Sequence, residues 1–156
     1  MPDKKQLVLI AHAPSPNTIK MVEAVIEGAS NPDIENVEVR YILPLEATAK
    51  DLISADAIIL GTTENLGYMS GLIKDVFDRC YYECLETTQG MPFTFFIRAG
   101  QDGTGTRRAI ESITTGLRWR IVQEPLVCRG DFQSDFIDQC EELGLSMAAS
   151  LDAGII

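Results

Sequence analysis

Short apolar runs alternate with amphipathic helical patterns along this chain, and this alternation restricts its fold more than any other feature. Three runs are continuous and rich in β-forming residues, which is typical of strands covered on both faces. They are QLVLIAH (6–12), DAIILGT (56–62) and FTFFIRA (93–99). Elsewhere, apolar residues recur at the three- and four-residue spacing of a helix face. The helical stripes are carried by Ile19, Val22, Val25, Ile26 and Ala29; by Ile73, Val76, Phe77, Cys80 and Cys84; by Ala109, Ile110, Ile113 and Leu117; and by Phe136, Ile137, Cys140 and Leu143.

Two further runs have the character of edge strands. In VEVRYIL (37–43), apolar residues alternate with Glu38 and Arg40, so one face of the strand is partly in water. The run RIVQEPLVC (120–128) contains Pro125, which favours an edge position or a bulge. Together the runs predict a single α/β domain over residues 1–156. Its five-stranded, doubly wound parallel sheet has the order 2-1-3-4-5 and helices on both faces.

Composition narrows the classes of partner. Thirteen Lys and Arg stand against 23 Asp and Glu, a formal charge of -10, which argues against nucleic acid and anionic membranes. No apolar run approaches the roughly 18 residues that a membrane span needs, and the N-terminal run is too short for a signal peptide, so we expect a cytoplasmic protein. The four cysteines lack the spacing of a metal site, and we expect buried structural thiols and no metal.

The carboxyl ends of the strands are where doubly wound sheets bind ligands, so the loops after strands one, three and four form the candidate site. The first loop is APSPNT (13–18). Ser15, Asn17 and Thr18 each offer a backbone donor and a side-chain donor at a helix N-terminus, where they could surround a phosphate. The alternative interpretation is an ordinary helix cap, with Ser15 or Asn17 as the capping residue.

The second and third loops have a different chemistry. In GTTENLGYMSG (61–71), the apolar Leu66 and aromatic Tyr68 flank a glycine, a combination that suits a flat aromatic ligand. An ordinary turn is the alternative. In RAGQDGTGTRRAI (98–110), three glycines allow the backbone to approach a ligand closely, but the lysine of a triphosphate-binding loop is missing.

Protein-based catalysis has little support in the sequence. There is no GxGxxG after the first strand and no GxSxG nucleophile motif. His12 is the only histidine, and we expect it to pack or to form a hydrogen bond at the end of its strand. Because no nucleophile-and-base pair is evident, any chemistry is expected to come from a cofactor.

These three loops resemble the FMN-binding loops of the flavodoxin-like superfamily. Flavodoxins carry S-x-T-G-N-T after the first strand, and Ser15, Asn17 and Thr18 match its T, N and T, whereas Ala13 and Pro16 replace the first Ser and the Gly. The second loop is similar to the G-T-P-T-R-F-G-N-M-S-G stretch of WrbA-like and NADPH-dependent FMN reductase proteins. It keeps Gly61, Thr62, Gly67, Met69, Ser70 and Gly71 of that stretch.

The resemblance implies a flavodoxin-like fold with FMN as cofactor and no catalytic side chain. The implied cofactor-binding residues are Ser15, Pro16, Asn17 and Thr18 at the phosphate; Thr62, Thr63, Glu64, Asn65, Leu66, Gly67 and Tyr68 along the ring; and Ala99, Gly100, Gln101, Asp102 and Gly103 at its pyrimidine edge. The implied function is an FMN-dependent oxidoreductase that passes electrons from NAD(P)H, as co-substrate, to a quinone or similar small acceptor.

Two alternatives stay open at this point. One is a non-enzymatic electron carrier of flavodoxin type, which the acidic composition favours because acidic carriers steer towards basic partners. The other is a protein that keeps the fold and has lost the flavin, for which Ala13 and Pro16 are the best support. The expected partners are a small-molecule electron acceptor or a redox protein, and homo-oligomerisation is left open.

Overall fold

The computed structural model describes residues 3–156 as alternating strands and helices. In chain order these are β1 (Lys5–Ala11), α1 (Pro16–Ala29), β2 (Val37–Ile42), a 3-10 turn (Pro44–Glu46), α2 (Ala49–Ile53), β3 (Ala57–Asn65), β4 (Tyr68–Met69), α3 (Gly71–Leu85), β5 (Pro92–Ala99), α4 (Thr104–Gly116), β6 (Arg120–Ile121), β7 (Leu126–Arg129) and α5 (Ser134–Asp152). Strand β2 lies at one edge, followed by β1, β3 and β5, and both β6 and β7 pair with β5. All of these pairings are parallel, which confirms the predicted order.

The predicted fifth strand is divided into two short strands. We expected one strand within 120–128, but the segment between β6 and β7 leaves the sheet. Val122 still donates its backbone N–H to the Phe93 carbonyl (3.1 Å), and the Thr94 hydroxyl donates to the Gln123 carbonyl (2.9 Å). Pro125 then has no N–H to give to the ladder. The strand is therefore interrupted next to Pro125, as strand pairing is at a bulge.

A short helical segment between β2 and β3 was missed by the hydrophobic pattern. Helix α2 is only 5 residues long, too short for a stripe to show. Its N-terminus is a capping box, in which Asp51 N–H donates to the Thr48 hydroxyl (3.3 Å) and Thr48 N–H donates to the Asp51 carboxylate (2.9 Å). The T-x-x-D spacing in the sequence is the signal that could have predicted this helix.

Successive strand residues face opposite sides of the sheet and create two apolar layers. One layer joins the strands to α2, α3 and α4, and the other joins them to α1 and α5. Fully buried members of the first are Val8, Ile10, Ile58, Ile73, Phe93 and Ile110; those of the second are Leu7, Leu9, Met21, Val25, Ile59 and Ala148. Helices cover both faces, as the sequence predicted.

Helices α1 and α5 pack closely because each contributes a glycine to the contact. A Cβ added at Gly28 would overlap the Glu141 carbonyl oxygen, and one added at Gly144 would overlap the Val25 carbonyl oxygen. Glycine in a helix interior costs about 1 kcal/mol relative to alanine. The close packing of the α1 and α5 backbones, which only glycine allows at these positions, offsets this cost.

The four cysteines are all buried and carry free thiols, so the predicted burial is confirmed. Burial raises the pKa of Cys84 to about 11, which keeps this thiol protonated at neutral pH. Over residues 3–156 there is no helix with the length and apolarity needed to cross a bilayer.

Candidate functional site

The three predicted loops begin side by side at one edge of the sheet. Ala11 at the end of β1 is in register with Gly61 of β3, and Thr63 of β3 is in register with Arg98 near the end of β5. The backbone N–H of His12 continues the first pairing by donating to the Gly61 carbonyl (3.0 Å). The carboxyl ends of these central strands therefore supply one shared surface.

The first loop forms a helix cap. Ser15 is the N-cap of α1: its hydroxyl accepts from Thr18 N–H (3.2 Å), and its own N–H donates to the Thr18 hydroxyl (3.0 Å). Pro16 occupies the first helical turn, and neither Pro14 nor Pro16 has an N–H. The capping interpretation is thus realised, and the polar groups of Ser15 and Thr18 satisfy each other.

Asn17 supplies the donors that remain in this loop. Its side chain is exposed and has no hydrogen-bond partner within residues 3–156, and the same holds for its backbone N–H. Both groups lie in the first turn of α1, where the helix dipole favours an anion. An anion at this loop would therefore be bound by the free donors of Asn17, because the Ser15 and Thr18 hydroxyls are hydrogen-bonded to each other.

The second loop is a β-hairpin. The sequence left an ordinary turn as one interpretation of this loop, but β3 extends to Asn65 and pairs with the antiparallel strand β4. Glu64 lies opposite Met69, and Asn65 lies opposite Tyr68. Only Leu66 and Gly67 form the turn, and both have positive φ (54° and 76°), as a two-residue turn of type I′ requires.

Leu66 is unusual in this turn. A non-glycine residue in the left-handed region costs about 1–2 kcal/mol, and residues with branched or bulky side chains are rare there. The Leu66 side chain is also fully exposed, with a relative accessibility of 106%. The chain thus holds an apolar side chain at the tip of the hairpin, although both its backbone and its exposure are unfavourable.

Glu64 joins the second loop to the third. Its carboxylate oxygens accept one hydrogen bond each, from the backbone N–H groups of Gln101 and Gly103, both at 2.8 Å. Hydrogen bonds to an ionised acceptor are about twice as strong as neutral ones. The two amides therefore converge on a pair of acceptor atoms that are bonded to one carbon.

A cavity of about 520 Å³ lies where these two loops meet. It is lined by Glu64, Leu66, Gly67, Gly100 and Gln101. This volume falls within the range of about 300–1,000 Å³ that small-molecule sites have. The hairpin lies so close to α4 that a Cβ added at Gly105 would overlap the Gly67 carbonyl oxygen. Loops two and three are thus brought together, while loop one adjoins them through β1.

Several predicted site residues lie beneath this surface. Thr62 is 3% exposed and Ala99 is fully buried. The Thr62 hydroxyl accepts from Ser70 N–H (2.9 Å), and the Ser70 hydroxyl caps α3 by accepting from Ile73 N–H (3.2 Å). These side chains support the hairpin, and only their backbone could take part in binding.

Arg98 does not reach the cavity. Its guanidinium donates to the carbonyls of Ala99 (2.8 Å) and Cys128 (3.2 Å) and lies over the ring of Phe136, 5.2 Å from the centroid. Within residues 3–156 this guanidinium forms no salt bridge. It holds β7 and the start of α5 against the end of β5.

His12 is half-buried at the end of β1, as the packing interpretation predicted. Its Nδ1 is buried and has no hydrogen-bond partner within residues 3–156. Burial lowers the pKa of His12 below its ordinary value, because desolvation disfavours the charged imidazolium.

Comparison with known proteins agrees with this architecture. No family model matches the chain. A curated relative, "Flavodoxin" from Aquifex aeolicus (strain VF5), is 36% identical over 101 residues, which are 65% of this chain and 54% of that protein. The match thus spans about half the length of the curated relative.

Solved structures match nearly the whole chain. A flavodoxin from the domain Archaea has a TM-score of 0.78 at 19% identity, covering 93% of this chain and 97% of that one. Flavodoxin 1 from Bacillus cereus has a TM-score of 0.73 at 18% identity, with coverages of 93% and 98%. A flavodoxin, WrbA-like protein from Agrobacterium tumefaciens has a TM-score of 0.67 at 17% identity, with coverages of 94% and 96%. With its strand order and its two helix-covered faces, the chain has the flavodoxin-like fold.

Proposed function

We propose that this chain binds FMN at the carboxyl edge of its sheet and acts as a small oxidoreductase, passing electrons from NAD(P)H to a quinone or similar acceptor. The observation that carries this proposal is the pair of amides at Gln101 and Gly103. The pyrimidine edge of isoalloxazine presents a ring nitrogen and a carbonyl oxygen bonded to one carbon. The Glu64 carboxylate, with two oxygens on one carbon, is a stand-in for that edge.

The hairpin supports the same ligand. Leu66 is fully exposed and Tyr68 is 40% exposed, and together they offer apolar surface to one face of a flat ring. The third loop contributes only Gly100, Gln101 and Asp102, and no aromatic side chain. One face of the ring would therefore stay accessible, and hydride transfer needs the reacting atoms about 3–3.5 Å apart.

The first loop fits the phosphate less fully than the third loop fits the ring. Two prolines remove backbone donors, Ser15 and Thr18 are hydrogen-bonded to each other, and there is no Lys or Arg between Lys5 and Lys20. Asn17 and the N-terminus of α1 would hold the phosphate. FMN would supply the redox chemistry, and this chain would bind and orient it.

The second candidate function is a non-enzymatic electron carrier. The formal charge of -10 favours it, since acidic proteins are steered towards basic redox partners, and the curated relative is described as a flavodoxin. Anaerobic mixing of the flavin-loaded protein with NADH or NADPH separates the two. We expect rapid bleaching of the flavin absorbance, whereas reduction by dithionite alone would support the carrier.

Flavin titration tests the binding that both candidates share. Purified apoprotein added to FMN should quench flavin fluorescence with a one-to-one end point, and riboflavin should be quenched too, since the ring carries most of the contacts. No quenching of either flavin would leave the third interpretation, a flavodoxin-like protein that has lost its cofactor.

A further inference from the structure

We propose that Glu64 is an internal competitor for the flavin ring: its carboxylate occupies the donor pair that the ring edge would use, and flavin binds only when Glu64 leaves that pair. This inference rests on the proposed function. In this proposal Glu64 controls the affinity for flavin. The Gln101 and Gly103 amides select any group that has two acceptor atoms bonded to one carbon.

The geometry makes direct competition unavoidable. Each amide has a single hydrogen, and both hydrogens are used in bonds to Glu64 at 2.8 Å, a normal N–H···O distance. A ring edge bound to the same amides must replace the carboxylate, since one N–H cannot serve two strong acceptors in line. Placing the carboxylate beside the acceptor edge of the ring would add repulsion.

Glu64 is placed so that it can leave. It is half-buried, it is the second-last residue of β3, and it lines the cavity on the hairpin side. Within residues 3–156 its carboxylate has no ion-pair partner, so departure breaks the two amide bonds and no salt bridge. Released into solvent, the carboxylate regains its hydration.

Competition of this kind lowers the apparent affinity by the fraction of molecules in which the site is open. We call the two hydrogen bonds from the Gln101 and Gly103 amides to Glu64 the Glu64 clasp. An intact clasp therefore weakens flavin binding without changing the contacts that the bound flavin makes. Glu64→Gln removes the second acceptor and the charge at nearly constant size, and Glu64→Ala removes the clasp entirely. Both variants should bind flavin more tightly, by about tenfold or more.

Charge must be separated from the clasp, because removing any carboxylate favours an anionic ligand. Glu35→Gln makes the same charge change in the exposed loop before β2, at the amino ends of the strands and so away from the candidate site. Riboflavin lacks the phosphate, so it reports on the ring alone. Riboflavin binding should tighten in Glu64→Gln, FMN binding should tighten at least as much, and Glu35→Gln should bind riboflavin like the unmodified chain.

Acetate provides a further probe, because it restores the missing carboxylate. In Glu64→Ala, acetate should shift the amide resonances of Gln101 and Gly103 and should weaken riboflavin binding competitively. In the unmodified chain, where Glu64 fills the pair, acetate should change neither.

The outcomes separate this inference from the function on which it rests. Tighter riboflavin binding in both Glu64 variants, with acetate competition in Glu64→Ala, is the expected result. Equal or weaker riboflavin binding in both variants overturns the competition while leaving flavin binding intact. A chain that binds no flavin in any variant overturns the proposed function and this inference together.

Discussion

At the scale of single residues, the candidate site contains side chains that the fold alone does not need. Leu66 is the clearest case, since its positive φ and full exposure both oppose folding. A strained residue at a loop tip is a reason to infer function. Under the proposed function, the Leu66 side chain would cover one face of the ligand ring.

Leu66→Asn should therefore stabilise the fold and weaken flavin binding. Asparagine tolerates the left-handed region far better than leucine, so the free energy of unfolding should rise by about 1 kcal/mol. Urea denaturation measures this gain, and riboflavin titration measures the loss of affinity. Leu45→Asn is the control, since Leu45 is 69% exposed but lies outside the positive-φ region. A Leu66→Asn chain that binds riboflavin as before would contradict the assigned role.

Asn17 should act on the phosphate and not on the fold. Its exposed side chain makes no hydrogen bond within residues 3–156, so Asn17→Ala should change the stability by no more than about 0.5 kcal/mol. FMN binding should weaken by about 1.5–3 kcal/mol, the contribution of a hydrogen bond to a charged group. Riboflavin binding should stay constant, and a parallel loss for riboflavin would show that Asn17 does not contact the phosphate.

At the scale of elements, the contact between α1 and α5 makes a strict demand on one position. Gly144→Ala places a methyl group against the Val25 carbonyl oxygen, so the two helices must separate. We expect a net destabilisation of about 1–3 kcal/mol by overpacking, despite the better helix propensity of alanine. Urea denaturation tests this, with Gly71→Ala, whose added Cβ meets open space, as the control. Equal stabilities of the two variants would contradict the packing argument.

The helices and strands were largely predictable, because the spacing of apolar residues follows which side of each element is buried. Continuous runs gave β1, β3 and β5, and helical spacing gave α1, α3, α4 and α5. The interruption near Pro125 and the short α2 depend on local hydrogen bonds and on a missing N–H, which a hydrophobic periodicity cannot show. In the site, the loops were predicted but the partner of Glu64 was not. That contact joins residues 37 and 39 positions apart, and it exists only because β3 and β5 are neighbours.

At the scale of the whole molecule, the acidic charge bears on which partners the chain would meet. A net charge of -10 disfavours polyanionic partners, and under the proposed function the partners would be small acceptors or basic redox proteins. The cytoplasmic location and the absence of a nucleic-acid partner remain predictions from the sequence. Neither of them alters the central claim, which concerns the donor pair at the edge of the sheet.

That claim is tested most directly by titrating ¹⁵N-labelled apoprotein with FMN and following the backbone amides by NMR. We predict that the resonances of Gln101 and Gly103 shift strongly and saturate together with the quenching of flavin fluorescence, while amides at the amino ends of the strands stay in place. Quenching that saturates without any change at these two amides would contradict the account, because the flavin would then be bound elsewhere.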